Sequence, residues 1–189
     1  MASVLPINYQ KSIAKERLIY KTNTSLIFTY LFSGFNAFVI LAVLTMPVFV
    51  GFSDTLTWLQ PFYIIFIIVF YCWAIANVVL LNSFVKIKGI HPEDNRKDII
   101  EALSKYFVLE NLDGTSAGII RDIRLPWAFR NGRAVTCLLD EDMIYLNSVR
   151  LMRAASISVY SAVFMYYKCK RVAKQFQKLQ AAKVTSINN

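Results

Sequence analysis

Two long runs without a charged residue dominate the hydropathy pattern: residues 25–50 (SLIFTYLFSGFNAFVILAVLTMPVFV) and 56–85 (LTWLQPFYIIFIIVFYCWAIANVVLLNSFV). Each exceeds the roughly 20 apolar residues that an α-helix needs to cross a hydrocarbon core. The pattern predicts two transmembrane helices, over about residues 26–48 and 60–83. The short connection around Gly51, Phe52, Ser53 and Asp54 predicts a tight helical hairpin. The first run is too long for a signal-peptide core, and no small-x-small cleavage site follows it, so it reads as a retained signal anchor.

Charge orients the hairpin. Lys11, Lys15, Arg17 and Lys21 precede it, Lys86, Lys88, Arg96 and Lys97 follow it, and Asp54 is the only charge in its loop. Positive residues stay on the cytoplasmic side, so both termini are expected there. Tyr20 and Tyr30 near the inner edge and Trp58 and Tyr63 near the outer edge suit the interface preference of amphipathic rings. Within the spans, Gly34 with Ser33 and Ala37 offers a small surface for close helix approach. Asn36 and Asn77 are expected to bond across helices. With no ionisable group in either span, contact between helices is a better reading than an ion path.

After residue 85 the pattern changes. The segment His91-Pro92 followed by EDNRKDIIEALSKYF has acid in its first turns and apolar residues at helical spacing (Ile99, Ala102, Leu103, Tyr106), predicting a helix over 93–105. Short β-prone runs follow at 106–111, 117–125, 134–139 and 143–149. Turn signals separate them at Asp113-Gly114, Pro126-Trp127, Asn131-Gly132 and the acidic tip Asp140-Glu141-Asp142. Residues 156–166 carry apolar groups on both faces and fit either strand or helix. From Cys169 the apolar stripe Cys169, Val172, Ala173, Phe176, Leu179 predicts a long closing helix, with Lys170, Lys174 and Lys178 on another face. The fold class expected is therefore a transmembrane hairpin plus a small cytoplasmic α+β domain of one helix, about four antiparallel strands and a long C-terminal helix. The segments run 1–24 (basic cytoplasmic tail), 25–85 (hairpin), 86–184 (domain) and 185–189 (frayed tail).

Composition sharpens this. Of 189 residues, 56% are hydrophobic and the net charge is +9. From Lys86 onward nine lysines and eight arginines face ten acids, and no acid follows Asp142. A tethered domain of that sign is drawn to the negative inner leaflet, by about 1 kcal/mol per basic residue near the surface. Cys72, Cys137 and Cys169 show neither a disulfide framework nor zinc-ligand spacing.

The search for chemistry finds little. His91, the sole histidine, has no orienting partner and reads as a helix-start residue rather than a base. Gly114 and Gly118 lack the Lys-Ser/Thr pair of a phosphate loop. Asp140-Glu141-Asp142 lacks the spacing of a calcium loop and reads as a solvated turn. In RLPWAFRNGR, Trp127 and Phe129 lie among Arg124, Arg130 and Arg133, a mixture that suits headgroup insertion. The candidate lipid- or partner-binding residues are thus Arg124, Trp127, Phe129, Arg130, Arg133, Lys170, Arg171, Lys174 and Lys178. Gly34, Asn36 and Asn77 are the candidate helix contacts. No catalytic residue, cofactor or metal is expected, and nucleic acid is not an expected partner, as no recognition motif accompanies the charge.

In layout alone, residues 25–85 resemble the hairpins of inclusion-membrane proteins of intracellular bacteria, two-span accessory subunits of secretion or conjugation machines, and two-span antiphage effectors; layout does not carry function. The sequence points to a non-catalytic, membrane-anchored interaction or assembly protein. Its basic domain would engage anionic headgroups or an acidic protein, as part of a larger membrane machine or a homo-oligomer. The alternative is a sensor whose domain binds a small anion, with Arg121, Arg124 and Arg133 around it, and controls oligomerisation of the hairpin.

Overall fold

The computed structural model describes residues 7–20, 35, 39–40, 42–43, 45–46, 60–90, 92–110, 112–113, 118–126, 132–152 and 157–187. Its organising element is an antiparallel sheet built on a long central hairpin, β4 (Gly132–Asp140) and β5 (Met143–Leu151). Glu141 and Asp142 make the turn, with Glu141 in the left-handed region at φ 50°. This is the wet acidic tip expected from the sequence. β3 (Ile119–Arg124) pairs with β4, and the two-residue β2 (Leu112–Asp113) pairs with β3. β1 (Val85–Lys88) pairs with β5, giving five strands in the order β1-β5-β4-β3-β2.

Both faces of the sheet are covered, which explains why β4 and β5 read as apolar almost throughout instead of alternating with polar residues. On one face Val135, Cys137, Leu139, Ile144 and Leu146 form a core with two helices. The helix α3 (Pro92–Ser104) brings Ile99, Ala102 and Leu103. The helix α4 (Ala162–Ile187) brings Met165, Cys169, Val172, Ala173 and Phe176. On the other face Ala134, Leu138, Tyr145, Val149 and Leu151 pack with Leu18, Tyr20, Leu81 and Phe84.

Part of that second cover comes from residues the sequence reading placed in the N-terminal tail. The short helix α1 (Tyr9–Ala14) is capped by Asn8, whose side chain accepts from the Lys11 amide at 3.2 Å. The Tyr9 hydroxyl donates to the Leu139 carbonyl at 2.6 Å, and the Leu18 amide donates to the Asn82 carbonyl at 2.7 Å. Glu16 pairs with Lys86. Residues 7–20 therefore belong to the same folded body as the sheet.

The helix α2 (Gln60–Leu80) is long and apolar enough to cross a membrane, with a mean hydropathy of 2.4. Only 6% of that stretch is buried within the molecule. It is the one described helix of this kind, and it coincides with the second span expected from the sequence. The first expected span lies outside the described residues except for Phe35, Val39, Ile40, Ala42, Val43, Thr45 and Met46, which are helical.

Two details of the sequence reading need correction. Of the strand expected at 106–111, the described residues 106–110 form none: the Tyr106 and Phe107 amides bond back to the Leu103 carbonyl at 3.0 and 2.8 Å, closing α3, and Phe107 plugs the core. The missing strand is β1, at the junction of the expected hairpin and domain, where no strand was expected. VKIK alternates buried and exposed, as an edge strand with one covered face should. The choice left open between strand and helix at 156–166 falls to helix: the closing helix begins at Ala162, preceded by a 3₁₀ turn at Val159–Ser161. Glycine matters most at Gly132, where an added Cβ would lie 2.4 Å from the Arg124 carbonyl oxygen. Only a residue without a side chain lets the ends of β3 and β4 approach so closely.

Candidate functional site

The basic candidates divide into two groups with different surroundings. Arg124 and Arg133 face each other across β3 and β4. Arg124 pairs with Glu110 at 3.1 Å, and Arg133 pairs with the buried Asp122 at 3.2 Å. Arg133 also donates to the Val108 carbonyl, and its guanidinium sits 5.3 Å from the Phe107 ring centroid. The Asp122 carboxylate accepts a further bond from the Glu110 amide at 3.2 Å. These arginines clasp the 107–110 segment onto the sheet, and their charge is already balanced by carboxylates. That geometry counts against the anion-sensor alternative at Arg124 and Arg133. Trp127, Phe129 and Arg130 lie outside the described residues.

Lys168 joins the same corner. Its ammonium lies 4.4 Å from the centroid of the same Phe107 ring that Arg133 contacts. Burial, then the positive charges of Arg133 and Arg150, hold its pKa below the usual lysine value. Nothing in the spacing of Lys168 marks it apart from the other lysines; its role follows from the position of Phe107.

The second group is exposed. Lys170, Arg171, Lys174 and Lys178 all project outward from α4, and among the described residues none of them is in an ion pair. Lys170 instead lies 5.2 and 5.5 Å from the rings of Tyr166 and Tyr167. By contrast Lys183, further along α4, is held by Asp98 of α3, a hydrogen bond that raises its pKa. The exposed set is thus a cationic face without internal neutralisation, able to hold an anionic surface by charge-assisted hydrogen bonds.

The position of that face is fixed by two asparagines. Asn77, 1% exposed, donates to the Trp73 carbonyl at 2.9 Å within α2 and accepts from the Val163 amide at 3.1 Å. It caps the first turn of α4, where backbone N–H groups have no partner in their own helix. Asn77 was expected to bond across helices; its described partner is the domain helix α4. Asn147 of β5 works from the other side: its Nδ2 donates to the carbonyls of Leu81 and Ser83, at 3.2 and 2.9 Å, just past the end of α2. Trp73 stacks on Tyr160, with centroids 6.1 Å apart and planes 13° apart. Gly34 and Asn36 lie outside the described residues.

The sequence reading missed the aromatic residues at the start of α4. Tyr160, Phe164 and Tyr167 are 38%, 79% and 58% exposed. Their spacing is visible only once helix is chosen over strand for this segment.

Catalytic groups are sparse here. Among the described residues no group of three or more His, Cys, Asp or Glu is placed to hold a metal ion. Cys137 and Cys169 are buried, and burial pushes both thiols up, Cys169 to about 12. The thiolate is the reactive form, so a maleimide at neutral pH should modify neither in the folded chain and both after denaturation. Stoichiometric native labelling, read by mass spectrometry, would show that the α4 side of the core is open. Compared with known proteins, the chain matches no family model, no curated protein and no solved structure.

Proposed function

We propose that this chain is a non-catalytic, membrane-anchored interaction or assembly protein. It crosses the bilayer twice, keeps both termini on the cytoplasmic side, and presents a basic domain face to an anionic surface of lipid headgroups or acidic protein. The observation that carries this reading is the outward face of α4, where Lys170, Arg171, Lys174 and Lys178 stand without acidic partners among the described residues, on a domain that follows directly from an apolar helix. Such a face near an anionic leaflet gains about 1 kcal/mol per basic residue, and Asn77 and Asn147 hold it in fixed relation to that helix.

The two-span topology has its own support. Leu18 and Tyr20 precede the first expected span and Phe84 and Tyr145 follow the second, yet all four share one core. Segments that share a core lie on the same side of a bilayer, which supports an even number of crossings between them.

The test is to purify the full chain in mild detergent and identify the lipids and proteins that remain attached. A variant with Lys170, Arg171, Lys174 and Lys178 all changed to glutamine should retain on the order of tenfold less of the anionic species, or below. Its Cys137 and Cys169 should stay protected, showing an intact fold. Equal retention by the folded variant would refute the proposal.

A further inference from the structure

The outward face of α4 holds more than cations. Tyr160, Phe164, Tyr167, Arg171, Lys174 and Lys178 follow one another at intervals of four, three, four, three and four residues. At 3.6 residues per turn the five from Phe164 to Lys178 share one stripe of α4, about 21 Å long, and Tyr160 stands in the 3₁₀ turn just before it. The stripe is graded: its first half is aromatic and its second half basic. Phe164 is 79% exposed, although the apolar side of the same helix is closed in the core.

The depth of the aromatic half follows from its contacts. Tyr160 stacks on Trp73 and the Val163 amide binds Asn77, and both partners belong to α2. They lie seven and three residues before its last residue, Leu80, or about 10 and 5 Å back along its axis. If α2 crosses a bilayer, the start of α4 is therefore level with the inner end of the span. It lies in the zone where the aromatic rings of Tyr and Trp concentrate and where an amphipathic helix beds its apolar side.

We infer that the first half of α4 is an interfacial helix, with Tyr160, Phe164 and Tyr167 seated among the lipids of the inner leaflet and Arg171, Lys174 and Lys178 meeting anionic headgroups beyond them. This rests on the membrane anchoring proposed above and deepens it: lipid, not protein, occupies this stripe. Two features favour lipid. The exposed aromatics continue an aromatic row on the same side of α2, where Phe66, 52% exposed, stacks on Phe70 and Phe70 meets Trp73. The aromatic-to-basic gradient also matches the order of acyl chain and phosphate met on leaving a bilayer.

The test places a nitroxide label at one engineered cysteine at a time in the full chain, reconstituted in bilayers of phosphatidylcholine with phosphatidylserine. The background is Cys72→Ser, with Cys137 and Cys169 enclosed in the core. The label positions are Phe164→Cys, Ile75→Cys as a lipid reference and Glu101→Cys as a water reference. Collision rates are measured with oxygen, which partitions into lipid, and with a water-soluble nickel chelate. The expected result is that the label at 164 favours oxygen as the label at 75 does, while the label at 101 favours nickel. A label at 164 that favours nickel while the label at 75 favours oxygen would overturn the interfacial helix and leave the anchor standing. Shielding from both reagents at 164 would mean a protein-covered stripe and would also overturn it. A label at 75 that favours nickel would remove the membrane anchoring itself, and this inference with it.

Discussion

Phe176→Ala should lower the stability of the domain by about 3–5 kcal/mol, the usual cost of emptying an aromatic site in a close-packed core. Phe176 is fully buried in the cluster that joins α3, α4 and the sheet, with Ile99, Leu103, Ile144 and Leu146 in the same group. Its loss removes transfer energy and also leaves a cavity that α4 closes only by shifting along its length. Against a typical total of about 5–15 kcal/mol, this is a large fraction. Cys137 and Cys169 report on the same core, so the measurement is pulsed thiol labelling of the full chain in detergent as denaturant rises. The midpoint for both thiols should move to markedly lower denaturant. An unchanged midpoint would mean that α4 does not close the core.

Replacing both junction asparagines, Asn77→Leu with Asn147→Leu, should loosen the domain from α2 without unfolding the sheet. Each change removes buried hydrogen bonds and strands their backbone partners, at about 1–3 kcal/mol apiece. Asn77→Leu leaves the Val163 amide without its acceptor, and Asn147→Leu leaves the Leu81 and Ser83 carbonyls without a donor. Hydrogen exchange should quicken by about tenfold or more at the first turn of α4 and at the end of α2, since about 1.4 kcal/mol corresponds to a factor of ten. Exchange in β4 should change little. Uniform acceleration across the sheet would instead make the two asparagines part of the domain core.

The aromatic start of α4 shows why some of the site was hidden in the sequence. Residues 157–166 carry apolar side chains on every side because one side meets the core, a second meets Trp73 of α2, and a third is exposed at Phe164. A segment apolar all round has no single period, so neither helix nor strand could be chosen from the pattern. Arg124 and Arg133 carry contacts that residue order does not reveal. Their sequence neighbours Trp127 and Phe129 suggest a binding loop, and their ion-pair partners Glu110 and Asp122 come from elsewhere in the chain.

Features that depend on local pattern could be read from residue order. The charge-free run that became α2, the helix at 92–104, the hairpin around Glu141 and the stripe that closes α4 on the core were all legible. Spacing and turn chemistry act over a few residues. Other features depend on pairing across long separations and emerge only in the folded chain. VKIK became β1 because β5 offered it an edge, and residues 7–20 became a cover because the second sheet face needed one. Asn77 became a cap because the free amide of Val163 lies beside it, 86 residues further along the chain. Those choices minimise exposed apolar surface and unpaired backbone groups over the whole fold.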